Sequence, residues 1–202
     1  MRRRWNLFRK KVARKELVFY TNNMIISQDF YLSDPIVAAR ALVGAYLCRR
    51  MPDGTVIRAQ ICELELYTEA ERGCHAYAGR STARNNAMFM TGGCAYVYLC
   101  YGLHNMLNVV LGRAGTAAAV LIRALEYPGC NGPGRLTRVL GITRADNKMG
   151  LTGGADIWIE PRPGPVEIIA GPRIGIDYAG DDAALPWRFC LAGSDMLSAP
   201  AG

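Results

Sequence analysis

The sequence predicts a single α+β domain built on a curved, largely antiparallel β-sheet, with short flanking helices and a protruding β-hairpin. Runs with strand-like alternation recur along the chain between Gly- and Pro-containing turns, whereas only brief segments show helical spacing. The chain has 202 residues, half of them apolar, which is enough for one sizeable core. We therefore assign residues 28–202 to one domain and treat residues 1–27 as a separate basic arm.

The first predicted elements are a short helix and a β-hairpin. Asp34 offers an N-cap directly before Pro35, a residue favoured in the first helical turn, and the apolar spacing that follows predicts a helix over 35–43. Strands are predicted at 45–50 and 55–66, since a Pro-Asp-Gly turn lies between them.

Two carboxylates lie at the end of the second of these strands. Glu63 and Glu65 fall on one face by the two-residue period, and leucines flank both. A carboxylate among apolar neighbours is a stronger base than one in water, which suits general-base chemistry. The alternative is a solvent-facing Glu pair on an edge strand, and spacing by itself favours that alternative.

Aromatic residues concentrate at the tip of a second predicted hairpin, whose strands cover 95–101 and 105–111. Tyr96 and Tyr98 share a face and Tyr101 falls at the turn. Tyrosines buried in a sheet core are the ordinary explanation, and a stacking surface is the alternative.

A third strand, predicted over 118–125, is almost wholly apolar apart from Arg123, which indicates a central position in the sheet. A Gly- and Pro-rich turn then leads into a helix predicted over 135–141. Backbone amides at such a helix start, with Arg135 beside them, would suit a phosphate, although a plain loop-to-helix junction explains the pattern equally well. The tail from residue 195 onwards is predicted to fray.

The connection from residue 68 to residue 91 lacks periodicity, apart from possible helical turns near 68–74 and 84–90. A connection of this length is usually either disordered or functional. It contains recognition-type side chains, namely His75, Tyr77, Arg80 and Arg84.

The net charge of +7 is unevenly distributed along the chain. Residues 1–15 hold eight Lys or Arg and no acid, so the remainder is close to neutral. Within that remainder, residues 72–144 carry eight Arg against the single acid Glu126. Such a block suits a phosphate-facing surface, and a solvated face without a ligand is the alternative.

The basic arm has no apolar segment of the kind that marks a secretory signal. It could be an organelle-targeting peptide, a DNA-tethering arm or an extension from an upstream start codon, and we expect a disordered arm. No apolar run approaches the ~18 residues of a membrane span, so no membrane association is expected.

The seven cysteines are odd in number and form no CxxC pair, which indicates reduced, buried thiols of an intracellular protein. The protein would act in the cytoplasm or nucleoid of a bacterium, or in the nucleus or an organelle of a eukaryote. With only two histidines the sequence indicates no zinc site, and we expect neither a metal nor a cofactor.

Six ordered blocks resemble the alkyladenine (3-methyladenine) DNA glycosylase family, a type also found in animals. The blocks are CELELY, HAYAGRSTARNNAMF, YVYLCYGLHNMLNVV, VLIRALEY, NGPGRL, and the closing RIGI, PWRF and GS. The resemblance covers about residues 28–198. It implies a monomeric enzyme that flips a damaged purine out of duplex DNA and hydrolyses its N-glycosidic bond, leaving an abasic site.

The resemblance also implies roles for individual residues. Glu65 would deprotonate the attacking water, and Arg123 would hold that water or a phosphate. The base pocket would be formed by Tyr67, His75, Tyr98, Asn108 and Leu121. Tyr101 would fill the space that the flipped base leaves, with Leu103 against the opposite strand, and the DNA backbone would be contacted by Arg80, Arg84 and Arg135.

Two features depart from the family pattern. Leu64 and Leu66 stand beside Glu65 where small or polar residues are common, and the loop between Tyr67 and His75 is about one residue short. Neither change removes a catalytic group, but both bear on the shape of the pocket and hence on lesion preference.

The lysines allow one inference without any family resemblance. Lys10, Lys11, Lys15 and Lys148 are the only ones, so no lysine lies in the segments proposed to form the pocket. Strand cleavage through a Schiff base is therefore not expected. Two rival interpretations remain: a protein that binds damaged or distorted DNA without cutting it, and a hydrolase of free nucleosides.

Overall fold

The computed structural model describes residues 25–201, which are organised around one large sheet. The basic arm predicted for residues 1–27 lies almost entirely outside the described residues. The helices are α1 (Gln28–Tyr31), α2 (Pro35–Leu42) and α3 (Pro133–Val139). The strands are β1 (Tyr46–Arg50), β2 (Val56–Thr68), β3 (Ala95–Cys100), β4 (His104–Val110), β5 (Ala118–Glu126), β6 (Ile157–Glu160), β7 (Ile168–Gly171) and β8 (Arg188–Leu191).

The sheet is antiparallel and is centred on the long strand β2. Its main path runs β3, β4, β5, β2, β1 and β6, and β8 pairs with β2 while β7 pairs with β8. One flank of β2 is therefore shared between β1 and β8, and the other is covered by β5. The predicted α+β class and antiparallel sheet are confirmed, and β5 occupies the central position that its apolar sequence indicated.

The two faces of the sheet carry different kinds of side chain, because successive side chains of a strand point to opposite faces. One face carries aliphatic side chains into the main core, among them Leu64, Leu66, Leu107, Val120 and Ile122. The other face carries one row of facing residues across five strands: Tyr96, Asn108, Leu121, Glu65 and Arg188. The site residues on the strands therefore share the face opposite the main core, where a smaller buried cluster around Tyr96 also packs.

Helix α2 begins where its sequence indicated. The Asp34 side chain accepts hydrogen bonds from the backbone N–H groups of Ile36 and Val37, and Pro35 opens the helix. The helix after the Gly-rich turn begins two residues earlier than predicted, at Pro133, for the same reason: proline is tolerated at a first helical position.

Two expectations about exposure were wrong. Glu63 and Glu65 are not a solvent-facing pair on an edge strand, because β2 lies inside the sheet and both side chains are fully buried. The tail from residue 195 is not frayed up to residue 201, since Ser198 hydrogen-bonds to Glu63, and Ala199 and Pro200 accept hydrogen bonds from Arg188.

Candidate active site

A cavity of about 470 Å³ opens on the face of the sheet opposite the main core. The tyrosine-rich strands form its floor and one wall, and the 68–91 connection and the segment after β7 form the remaining walls. Nine residues that the sequence singled out line it: Tyr67, His75, Arg84, Tyr96, Tyr98, Tyr101, Asn108, Leu121 and Arg123. The alternation of strands thus brings residues that are up to 56 positions apart into one concave surface.

Glu65 lies directly behind the cavity wall and has no exposed surface. Its Oε2 accepts from the Tyr67 hydroxyl at 2.8 Å and from Arg123 Nη1 at 3.1 Å. Its Oε1 accepts from the backbone N–H of Ile174 at 2.7 Å. All three donors, Tyr67, Arg123 and Ile174, come from residues that line the cavity. The charge of the carboxylate is therefore compensated, and the sequence-based picture of a bare carboxylate among leucines is incomplete.

Arg123 joins Glu65 to the second carboxylate of β2. Its Nε donates to Glu63 Oε1 at 3.0 Å while its Nη1 is on Glu65, so one planar guanidinium spans both acids. Its Nη2 donates to no residue among those that the structure describes. Since Arg123 lines the cavity, that nitrogen is the donor left for a ligand.

One wall of the cavity is formed by four aromatic rings, those of Tyr67, His75, Tyr96 and Tyr98. The Tyr98 ring lies 4.7 Å from His75 in an edge-on arrangement and 5.3 Å from Tyr96. His75 Nδ1 is 3.1 Å from the Tyr96 hydroxyl. Burial raises the pKa of Tyr67, Tyr96 and Tyr98 well above that of a free phenol, so all three hydroxyls stay protonated at neutral pH.

Desolvation of the ring against Tyr96 and Tyr98, and secondarily the charge of Arg84, lower the pKa of His75 below its ordinary value, although the residue keeps exposed surface. The imidazole is therefore neutral at pH 7, and the wall formed by the rings carries no positive charge at His75.

This lowered pKa predicts a pH dependence of stability. As pH falls through about 6.5, the unfolded chain binds a proton at His75 before the folded chain does. The free energy of unfolding therefore becomes smaller as the pH is lowered. The contribution is fully present above that pH and is lost towards the lower folded-state pKa. We expect His75→Gln to reduce this slope in urea unfolding curves measured between pH 7.5 and 5, with His104→Gln as the matched control. An unchanged slope in His75→Gln would contradict the expectation.

The tip of the β3–β4 hairpin presents an aromatic ring to solvent. Tyr101 is 93 % exposed, and its φ of 50° lies in the left-handed region that non-glycine residues seldom adopt. Gly102 follows with a φ of 71°, and Leu103 N donates to Cys100 O at 3.0 Å to close the turn. Leu103 is 77 % exposed. Neither side chain stabilises the fold by packing in the core, and both are held in a strained turn. Their exposure therefore points to a role in binding.

The cavity floor contains Asn108 and Leu121, which face each other on β4 and β5. Asn108 is buried, and its Nδ2 donates to the backbone oxygens of Tyr96 at 3.1 Å and Met106 at 3.3 Å. Its amide is therefore held in one orientation. Leu64 and Leu66, the departures from the family pattern, pack in the main core and do not line this cavity.

The 68–91 connection is ordered by two buried polar anchors. Glu71 receives both terminal nitrogens of Arg173, at 2.7 and 2.9 Å, and this pair fastens the loop to the segment after β7. Asn85 donates to the backbone oxygens of His75 at 2.8 Å and Arg80 at 2.9 Å. Of the helical turns expected here, a 3-10 turn forms at Asn86–Phe89, whereas 68–74 contains only hydrogen-bonded turns.

The exposed arginines occupy different positions around the cavity. Arg84 lines it, with its guanidinium 5.0 Å from the Tyr98 ring centre and its Nη2 on Leu99 O. Arg80 and Arg135 are exposed but do not line it. Arg135 donates to Asn131 at 3.0 Å within the first turn of α3.

Sequence reasoning missed the segment 173–178, which supplies Ile174, Gly175, Ile176 and Tyr178 to the cavity. It also missed the pairing partner of Glu71. The RIGI block was a usable signal, since it belongs to the resemblance, but nothing in its spacing showed that it would lie against β2.

In residues 25–201, no three His, Cys, Asp or Glu side chains cluster as metal ligands would. All seven cysteines are unpaired. Within the same range, no helix is both long and apolar enough to cross a bilayer.

Comparison with known proteins identifies the family. The family model described as methylpurine-DNA glycosylase matches residues 29–129 and 127–195. A relative from Methanocella arvoryzae is 40% identical over 193 residues, covering 86% of this chain and 96% of its own length. One from Anaeromyxobacter dehalogenans is 45% identical over 186 residues, covering 88% of each chain. One from Myxococcus xanthus is 42% identical over 186 residues, covering 86% of this chain and 93% of its own. The assigned name of all three is 3-methyladenine DNA glycosylase, with the activity marked there as inferred. On the extent of these matches, the chain belongs to the methylpurine-DNA glycosylase family.

Proposed function

We propose that this DNA glycosylase flips alkylated or deaminated purines out of duplex DNA and hydrolyses the N-glycosidic bond in one step, without cutting the strand. The substrates would be 3-methyladenine, 7-methylguanine and hypoxanthine, and the product an abasic site. The observation that carries this proposal is the placement of Glu65 directly behind an aromatic cavity, bonded to Arg123 in the cavity wall, with an exposed tyrosine at the rim.

The hydrogen bonds of Glu65 leave one acceptor position of the carboxylate unfilled, although the side chain has no exposed surface. A carboxylate offers about four lone-pair positions, and here two on Oε2 and one on Oε1 are filled. The remaining acceptor position is on Oε1, next to Ile174, which lines the cavity. We place the attacking water there, and its entry requires that the cavity wall at Ile174 shift when DNA binds, because Glu65 has no exposed surface in this structure. Its proton passes to Glu65, its oxygen bonds to the anomeric carbon, and the purine leaves with the electrons of the glycosidic bond.

Electrostatics support the same assignment. As the bond breaks, the sugar becomes cationic, and the negative carboxylate stabilises that charge. Arg123 cannot perform this task because it is itself positive. Its unpaired Nη2 would instead hold the water or a phosphate oxygen of the flipped nucleotide.

The cavity wall suits a broad range of purines. Base stacking on an aromatic ring contributes about 1–3 kcal/mol and depends little on base identity. Purines made cationic by alkylation gain further from the electron-rich faces of Tyr67 and Tyr98. The lowered pKa of His75 is consistent with this, since a neutral imidazole does not repel a cationic base. Asn108, on the floor, would disfavour the 2-amino group of normal guanine, whereas cationic 7-methylguanine gains from the aromatic wall and has the weaker glycosidic bond.

The distribution of lysines supports hydrolysis without strand cleavage. Lys148 is the one lysine among residues 25–201, and it does not line the cavity. We propose that the enzyme acts as a monomer, and the unpaired cysteines fit an enzyme that acts on intracellular DNA.

The direct test is incubation of the protein with a labelled duplex that contains one hypoxanthine or methylated purine. We expect release of the free base and a strand that stays intact until alkali is added. Strand breakage before alkali is added would show that the enzyme has a lyase step, contrary to the proposal. A duplex without the lesion is the control.

A non-catalytic binder of damaged DNA remains the rival function, because the exposed Tyr101 and the arginines would serve it equally well. It predicts lesion binding without base release by both the wild type and Glu65→Gln. A hydrolase of free nucleosides predicts a rate that is independent of salt and of Tyr101, whereas a DNA-bound enzyme loses affinity as salt rises.

A further inference from the structure

At the cavity wall and behind it lies a buried group of four charges, Glu63, Glu65, Arg123 and Arg188, which we call the buried charge cluster. Two carboxylates and two guanidiniums balance each other. Only Glu65 and Arg123 have a role in the proposed chemistry. We propose that Glu63, clamped by Ser198 of the C-terminal segment, is a positioning residue that holds Arg123 in the orientation that base release requires. This inference rests on the proposed function.

The geometry of Arg123 explains why a second carboxylate matters. A guanidinium is planar and rigid, so fixing its Nε on Glu63 also fixes the direction of Nη1 towards Glu65. An unrestrained guanidinium prefers to bind a carboxylate with two parallel hydrogen bonds. Without Glu63, Arg123 would therefore turn towards Glu65 and occupy the acceptor position that we assign to the water. Glu63 keeps that contact to a single hydrogen bond.

Glu63 is in turn held by donors that all come from β8 and the chain after it, apart from Arg123. Arg188 Nε donates to Oε1 at 2.7 Å, Ser198 Oγ donates to Oε1 at 2.8 Å, and Ser198 N donates to Oε2 at 2.5 Å. Arg188 also donates to the backbone oxygens of Ala199 at 2.6 Å and Pro200 at 2.9 Å. The position of Glu63 thus depends on where the C-terminal segment lies.

The Ser198 hydroxyl touches both members of the pair that it would align. It donates to Glu63 and accepts from Arg123 Nε at 3.1 Å. A hydroxyl can do both at once, whereas a methyl group can do neither. This makes Ser198 the site for a mild perturbation, because its backbone N–H stays on Glu63 whatever the side chain.

The test measures single-turnover base release with enzyme in excess over a lesion duplex, well below the unfolding temperature of each variant. We expect Ser198→Ala to lower the maximal rate about tenfold, and Glu63→Gln about a hundredfold, with the enzyme concentration for half-maximal rate unchanged. Ser198→Thr, which keeps the hydroxyl, should restore the rate to within about twofold of wild type. Ser194→Ala is the matched control: its hydroxyl accepts from Met196 N at 3.2 Å and does not touch the cluster.

A merely structural role would give a different result. It predicts a lower unfolding temperature for Ser198→Ala and Glu63→Gln with a wild-type maximal rate, and that outcome overturns the inference. An equal loss of rate in Ser194→Ala, or no recovery in Ser198→Thr, overturns it as well. If Glu63→Gln does not fold, the serine variants decide by themselves.

Including Glu65→Gln separates this inference from the proposed function. If Glu65→Gln is inactive while Ser198→Ala and Glu63→Gln release base at the wild-type rate, the inference is wrong and the proposed function stands. If Glu65→Gln is as active as the wild type, the proposed function is wrong and the positioning role loses its basis.

Discussion

Replacement of Glu65 by Gln is expected to lower the single-turnover rate of base release by about a thousandfold, the range found for loss of a general base. The amide cannot take the proton of the water, and it removes the negative charge that stabilises the cationic sugar. It also turns one acceptor into a donor at a site where Tyr67, Arg123 and Ile174 already donate. The measurement is release of hypoxanthine from a labelled duplex at saturating enzyme.

The matched control for this prediction is Glu126→Gln, the same chemical change at an exposed residue at the end of β5. It should release base at the wild-type rate. Lesion-DNA affinity of Glu65→Gln should stay close to wild type, since Tyr101 and the exposed arginines are intact. Equal release by the wild type and Glu65→Gln would show that the base is another group. Lesion binding without release by both would favour the non-catalytic binder.

Replacement of Tyr101 by Ala is expected to slow base release from duplex DNA by about 5- to 150-fold, the equivalent of one stacking interaction of about 1–3 kcal/mol. A ring that fills the gap left by the flipped base offsets part of the unstacking cost, and a methyl group does not. The rate should be measured at saturating enzyme, so that weaker binding does not enter.

A single-stranded substrate with the same lesion provides the sharpest comparison. It has no paired stack for the ring to fill, so Tyr101→Ala should release base from it nearly as fast as the wild type does. Tyr101→Phe keeps the ring and should keep most of the duplex activity. A similar loss on both substrates would argue against a wedge. Folding should be unaffected, because the side chain is 93 % exposed.

The sequence predicted the elements well where local rules act. The Asp34–Pro35 start of α2, the Pro-Asp-Gly hairpin and the apolar strand β5 were all confirmed. Capping, turn geometry and side-chain alternation depend on neighbouring residues, so they can be read directly from a short stretch of chain.

The errors concern burial and partners. Glu63 and Glu65 were favoured as an exposed pair because two acids on a strand usually face water. Their partners, Arg123 and Arg188, lie 58 and 125 positions further along the chain, respectively, from Glu65 and Glu63. The tail after residue 195 was predicted to fray because nothing in its own sequence indicates a partner for it. Its partner is Glu63, which accepts hydrogen bonds from Ser198.

Sequence by itself therefore determined which residues of one strand share a face, such as Tyr96 with Tyr98. It also determined, through the six ordered blocks, the family. Only the tertiary structure decided that β2 lies at the centre of the sheet, that Glu65 is compensated by three donors, and that the C-terminal segment reaches the buried charge cluster. The physical reason is that alternation is a local property of a strand. Burial of a charge depends on whether distant parts of the chain supply its partners.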